Sequence, residues 1–207
     1  MADTWTMVAE ARTDLASYLE TLTPEQWDAP SLCDQWKVRD VVGHLVEGAN
    51  KISMGSMMGA LARNGFNLNK MLAAGAIEVG QRSPEDLSKA MREAVSLRNS
   101  PPMTKPEDTL SDTVIHTQDI RRALGDPGSV PQDRLIVALD RMKNTGTILG
   151  IKKRIAGLKL VATDTDWTTG EGPEVSGTGE ALLMAMCGRK TAIADLTGEG
   201  VSTLRDR

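Results

Sequence analysis

Apolar side chains recur at helical spacing along most of the chain before about residue 155, divided by short polar or proline-bearing links. Trp5, Val8, Leu15, Leu19 and Leu22 form a stripe that predicts a helix from an N-cap at Asp3 to about Leu22. Thr23, Pro24 and Gln26 have the order of an N-cap, a first-turn proline and a capping-box partner, which predicts a short helical turn. Val38, Val41, Val42, Leu45, Val46 and Ile52 predict a second long helix, starting near Lys37 and continuing into SMGSMMGAL. Residues 60–82 read as one or two shorter helices broken at Asn64 and Gly65, and Ser83-Pro84-Glu85-Asp86 opens another that ends near Leu97. Pro101, Pro102 and Pro106 force a connection, after which a helix runs to Gly125 in the C′ position. Pro131 opens the last long helix, through Leu135, Val137, Leu139 and Met142 to about Leu149.

Beyond residue 155 the period changes. GLKLVATD alternates apolar and polar positions, DWTTGEGPEVSG is dense in turn residues, and a compact helix is expected over about 178–187. The pattern predicts a mainly α protein: a bundle of antiparallel helices over residues 1–154, then a small α+β module over 155–207.

Composition agrees with this fold class. Of 207 residues only 3% are aromatic, and the 11 methionines with Leu, Val, Ile and Ala must fill the core, as helix packing permits. The Met-rich SMGSMMGAL is assigned to packing within the bundle rather than to a substrate wall. A net charge of −4 argues against a nucleic-acid footprint, and the short Lys152-Lys153-Arg154 run reads as a solvated helix end. The absence of a long apolar span and of a basic, apolar leader predicts a cytoplasmic protein without membrane attachment. Cys33 and Cys187 form no metal or redox motif and are assigned as structural thiols; Cys33 has no base near it in sequence.

Candidate chemistry rests on the only two histidines. Asp112, His116 and Asp119 stand at i, i+4 and i+7, and Asp40 precedes His44 by one turn, so each helix carries acid and imidazole on a face shared with apolar residues. Carboxylates turned toward a core need a cation, a metal or water. If the two helices face each other, His44, Asp112 and His116 make a two-imidazole, one-carboxylate set of the kind that holds a divalent ion with open positions, while Asp40 and Asp119 fit the role of orienting the imidazoles, although either could itself ligate. The other reading is that both histidines are ordinary polar residues paired with acids a turn away. Trp36, at the entry to the second helix, is assigned to packing.

Three stretches resemble a known family. LCDQWKVRDVVGHLVEG is similar to a tryptophan-led second helix ending in a ligand histidine, and LSDTVIHTQDIRRALG to an acid-xxx-His helix ending in ALG. DWTTGEGPEVSGTGEALLMAMCGRKTAIADLTGEGVSTLRDR looks like a small sterol-carrier-like C-terminal module. Together they resemble the mycothiol-dependent maleylpyruvate isomerase family of the DinB-like metalloenzymes, in the same order along nearly the whole chain. The resemblance implies a DinB-like four-helix bundle holding a divalent metal, zinc above all, through His44, Asp112 and His116. Asp112 stands where the family normally has Glu. It also implies an actinobacterial type of chemistry in which mycothiol or a similar low-molecular-weight thiol attacks an electrophilic small molecule, giving cis-trans isomerisation or S-transfer. Arg121, Arg122 and Arg189 are candidate cations for an anionic thiol or substrate, with Arg189 placed first; a surface charge after a helix end is the other reading of Arg189. A non-catalytic ligand-binding protein and a metal-free degenerate bundle are the alternatives to an enzyme.

Overall fold

The computed structural model describes residues 3–145 and 150–207, in two compact units that span residues 1–128 and 129–207. The chain is mainly helical, with a small α+β module in its C-terminal part, as the periodicity predicts. The division falls after Gly128 rather than at the expected 154/155. The reason is packing: the helix opened by Pro131 lies against the C-terminal helix Gly179–Met186.

The first unit contains α1 (Thr4–Leu19), α2 (Pro24–Trp27), α3 (Val38–Ala49), α4 (Met54–Arg63), α5 (Leu68–Gly80), α6 (Pro84–Ala94) and α7 (Pro106–Ala123). α1 packs on α6 and α7, and α3 packs on α5, α6 and α7. Their apolar stripes meet in one core of Leu15, Leu19, Trp27, Val38, Val41, Val42, Leu45, Leu87, Met91 and Ile120. The predicted caps form at α2, where Thr23 Oγ1 accepts from Gln26 N–H and Gln26 Oε1 accepts from Thr23 N–H, and at α6, where Ser83 Oγ accepts from Asp86 N–H. Asp3 occupies the N-cap position of α1 but its side chain makes no cap hydrogen bond. Gly125 ends α7 with φ 76°, the left-handed conformation that a C′ glycine supplies.

Two expectations fail in the 50–63 stretch. The second helix does not run into the Met-rich segment: it stops at Ala49, Asn50 is extended, and α4 starts anew with Ser53 Oγ accepting from Ser56 N–H. Nor does that segment pack the bundle. No residue of α4 is buried, and Met54 and Met58 are 47% and 45% exposed. The local cap at Ser53 outcompetes continuation of the apolar pattern across residues 50–53.

α3 and α5 approach closely because both carry glycine at the contact. A Cβ on Gly43 would lie 2.5 Å from the Ala76 carbonyl oxygen and 2.8 Å from Gly80 N. A Cβ on Gly80 would meet Asp40 Oδ1 at 2.5 Å.

The second unit contains α8 (Gln132–Asn144), α9 (Ile151–Ile155), β1 (Lys159–Ala162), β2 (Thr168–Thr169), β3 (Glu174–Gly177), α10 (Gly179–Met186), a 3-10 turn (Lys190–Asp195) and α11 (Val201–Arg205). α8 ends at Asn144; its expected end at Leu149 lies outside the described residues. The sheet order is β2-β1-β3, with β1 antiparallel to β2 and parallel to β3, where Leu160 pairs with Val175. Every residue of α10 is buried, as its nearly uninterrupted apolar sequence requires. Leu135 and Leu139, one turn apart on α8, pack against Gly179 at its start.

Candidate metal centre

α3 and α7 carry the two histidines, and each helix is started by an acid in its own first turn. On α3, Asp40 Oδ2 accepts from Lys37 N–H at 2.9 Å; on α7, Asp108 Oδ2 accepts from Lys105 N–H at 2.8 Å, with Pro106 in the first turn. These caps occupy helix N–H groups that would otherwise lack partners. The Asp40 cap also corrects an expectation. Its carboxylate is turned to the start of its own helix and to Gly80, and the hydrogen bond it makes is to Lys37 N–H rather than to His44. One helical turn brings Asp40 and His44 to neighbouring positions, but the cap and the α5 contact hold the Asp40 carboxylate at the start of its own helix.

The packing of α3 on α7 brings His44, Asp112 and His116 together. His44 Nε2 lies 3.4 Å from Asp112 Oδ2, and His116 Nε2 lies 3.4 Å from Asp112 Oδ1. The two rings meet edge to face with centroids 4.9 Å apart. One potential ligand atom from each residue lies within 4.8 Å of the other two. Neighbouring ligands of a tetrahedral divalent ion with ~2.0–2.1 Å bonds stand about 3.3–3.5 Å apart, and each imidazole has one oxygen of Asp112 at that spacing, His44 facing Oδ2 and His116 facing Oδ1. The shorter arm of Asp112 reaches both imidazoles. The imidazoles are largely covered, with side chains 15% and 13% exposed, whereas Asp112 is 45% exposed. The open side of the set is therefore at Asp112.

Behind His116 stands Asp119, whose side chain is fully buried and whose Oδ2 is 2.9 Å from His116 Nδ1. An acceptor on Nδ1 leaves Nε2 to face Asp112, the arrangement that orients a ligating imidazole. Electrostatics agree with the geometry. The protein packed around half-exposed Asp112 would by itself raise its pKa, but the charges of His44 and His116 and their hydrogen bonds hold it well below the usual carboxylate range. Burial likewise would lower His116, yet the charge of Asp112, together with hydrogen bonding to Asp112, Asp119 and Cys33, raises it well above the ordinary imidazole value.

The loop over residues 28–37 brings two more side chains to this centre. It is closed by Ser31 N–H donating to Trp36 O at 3.0 Å and by Cys33 N–H donating to Ser31 Oγ at 3.1 Å, and Gln35 turns it with φ 67°. Leu32 N–H donates to Asp119 O at 3.1 Å and fastens the loop to α7. Trp36 then lies 5.3 Å from the His44 ring and 6.1 Å from the His116 ring, centroid to centroid. It packs on the core as expected and also walls the imidazoles. Cys33 is the residue that sequence reasoning missed. Its Sγ donates to Asp119 Oδ2 at 3.0 Å and lies 3.5 Å from His116 Nδ1. The expectation that no base is near Cys33 is corrected by the fold of this loop. Its one signal was its place in LCDQWKVRDVVGHLVEG; no local spacing connects residue 33 to residue 119.

Two of the candidate arginines have hydrogen-bond partners within their own units. Arg121 donates to Asp126 Oδ2 at 2.9 Å and to Asp126 O at 3.0 Å, and its guanidinium lies 4.1 Å from the centroid of the Tyr18 ring. It fastens the end of α7. Arg189 belongs to the second unit, where Nη1 donates to Cys187 O at 2.9 Å. Arg122 follows Arg121 in the last turn of α7.

Two imidazoles and a carboxylate converging from two helices of a bundle form a group that could hold a metal ion, and comparison with known proteins says to which family such a bundle belongs. Residues 8–121 match the model of the mycothiol maleylpyruvate isomerase N-terminal domain, more than half of the chain, and the protein belongs to that family. The fold is similar to a crystal structure of mycothiol-dependent maleylpyruvate isomerase, with TM-score 0.55 and 13% identity over 95% of this chain and 91% of the other. It is similar also to a histidine-to-alanine mutant of a mycothiol-dependent maleylpyruvate isomerase, with TM-score 0.53 and 15% identity over the same shares of the two chains. No curated protein matches the sequence. Among the described residues no helix is long and apolar enough to cross a membrane.

Proposed function

We propose that this protein is a divalent-metal-dependent enzyme that uses a low-molecular-weight thiol, mycothiol or a close analogue, for cis-trans isomerisation of an electrophilic small molecule or S-transfer to it. His44, Asp112 and His116 hold the ion, zinc in the first instance, and Asp119 orients His116. The observation that carries the reading is the convergence of both histidines of the chain on one carboxylate, from helices about 70 residues apart in sequence. Family membership supports the thiol. When bound, the ion favours the thiolate form of a thiol at neutral pH. Asp112, on the exposed side, faces the approach of thiol and electrophile. Trp36 and the buried flank of the rings exclude water from the opposite side. The protein is assigned to the cytoplasm, where a reduced small thiol is abundant.

The test combines elemental analysis of the purified protein with thiol consumption in the presence of mycothiol and maleylpyruvate or a bimane. One divalent ion per chain and thiol-dependent turnover are expected, both lost in His44→Ala and Asp112→Ala. Metal-loaded protein that binds the thiol without turnover would make it a binding protein, and protein that takes up no divalent ion would make it a metal-free bundle.

A further inference from the structure

His116 presents its second ring nitrogen to a second set of ligand atoms. Cys33 Sγ, Asp119 Oδ2 and His116 Nδ1 form a triangle with edges of 3.0 Å from sulfur to oxygen, 2.9 Å from oxygen to nitrogen and 3.5 Å from sulfur to nitrogen. A tetrahedral site with one thiolate at ~2.3 Å and N or O ligands at ~2.0–2.1 Å places neighbouring ligands about 3.3–3.6 Å apart. For an ion of that size the sulfur-nitrogen edge already fits, and the other two must open by a few tenths of an ångström: rotation of the Cys33 side chain supplies the sulfur-oxygen edge, and a small turn of the Asp119 carboxylate the oxygen-nitrogen edge. The Asp119 carboxylate is fully buried, so the triangle has a fixed floor, while Cys33 is partly exposed and gives the entry and the open position.

We propose that Cys33, Asp119 and His116 Nδ1 form a second cation site, selective for soft, thiophilic ions such as Cd²⁺, and that its occupation excludes an ion from the first site. Selectivity follows from the thiolate ligand, which the His44-Asp112-His116 set lacks. Exclusion follows from the shared imidazole and rests on the metal reading of the first site. When the soft ion takes Nδ1, the protonated ring gives up the proton on that nitrogen and keeps the one on Nε2, which is donated to Asp112 Oδ1, the oxygen 3.4 Å away. The Cys33 thiol also gives its proton to solvent, so two protons leave per ion bound. Asp112 and His116 Nε2 are then hydrogen-bonded to each other instead of being available to a second ion.

The test is a titration of metal-free protein with Cd²⁺, read as the ultraviolet sulfur-to-cadmium charge-transfer band. The band is expected in the wild type, in His44→Ala, which breaks only the first site, and in Cys187→Ser, which removes the other thiol. It is expected to vanish in Cys33→Ser, a nearly isosteric change whose folding is checked by circular dichroism. Asp119→Asn keeps the thiol and should weaken Cd²⁺ binding ~10- to 100-fold. Zinc-loaded wild type should release its zinc on addition of Cd²⁺, and Cys33→Ser should not. A band that survives in Cys33→Ser, or is absent from His44→Ala, overturns the second site. Cd²⁺ and Zn²⁺ bound together on one chain overturn the exclusion. A wild type that takes up no zinc but shows the band in His44→Ala would sink the first-site reading and leave the second standing.

Discussion

His116 is held on both sides of its ring, by Asp112 toward Nε2 and by Asp119 and Cys33 toward Nδ1. The two acids act differently. Asp112 shares the exposed face with the imidazole, whereas buried Asp119 fixes which nitrogen points there. Asp119→Asn preserves shape but replaces the anionic acceptor by an amide, and zinc affinity should fall ~10- to 100-fold with α-helical content unchanged; competition with a chromogenic chelator measures it. The raised pKa of His116 has a second consequence. Below that raised value an ion must displace a proton from the ring, so apparent affinity should climb with pH by about tenfold per unit and level off once the value is passed. A flat profile between about pH 6 and about pH 8 would exclude His116 as a ligand.

At the scale of elements, the site depends on how closely α3 lies to its neighbours. Gly43 and Gly80 let α3 and α5 touch backbone to backbone, which sets the position of α3 and so of His44, the residue after Gly43. Alanine in a helix is ordinarily better than glycine by about 1 kcal/mol. Gly48, in the same helix, has nothing within 4 Å of an added Cβ. Gly48→Ala should therefore stabilise the protein by roughly 0.5–1 kcal/mol, whereas Gly43→Ala, whose Cβ would meet backbone atoms, should destabilise it by about 1–3 kcal/mol and weaken metal binding. Chemical denaturation of the two variants checks the opposite signs. Most helices were legible from apolar spacing and from local caps such as Thr23-Pro24-Gln26 and Ser83-Pro84, because these signals lie within a few residues of one another. The break at residues 50–53 was not, since an apolar stripe continues across it while the choice between one helix and two is made by the cap at Ser53.

For the whole molecule, an ion that binds only the folded chain stabilises it by mass action. At a free concentration a thousandfold above Kd this is ~4 kcal/mol, or roughly 10 °C in Tm for a chain of this size. The gain should depend on pH with a definite sign. In the metal-free protein the raised His116 pKa contributes stability that is fully present below the unfolded value of about 6.5 and is lost as pH rises through the folded value. The depressed Asp112 pKa contributes stability present above about 3.9 and lost as pH falls through its folded value. Thermal unfolding with zinc and with chelator should thus show the two Tm values separating as pH is raised from about 6 to about 8.

The sequence by itself determined most of the helices, their capping signals, the change of pattern near residue 155 and the position of an acid one turn before each histidine, because all of these are set by near neighbours along the chain. Only the tertiary structure decided that Asp112 stands between both imidazoles, that Asp40 serves its own helix, that Arg121 is taken by Asp126 and Tyr18, and that Cys33 reaches Asp119. Each of these is a choice among several partners within reach of one side chain. What makes the choice is the packing distance between α3 and α7 and the path of the 28–37 loop, quantities that depend on residues far apart in sequence and leave no local period to read.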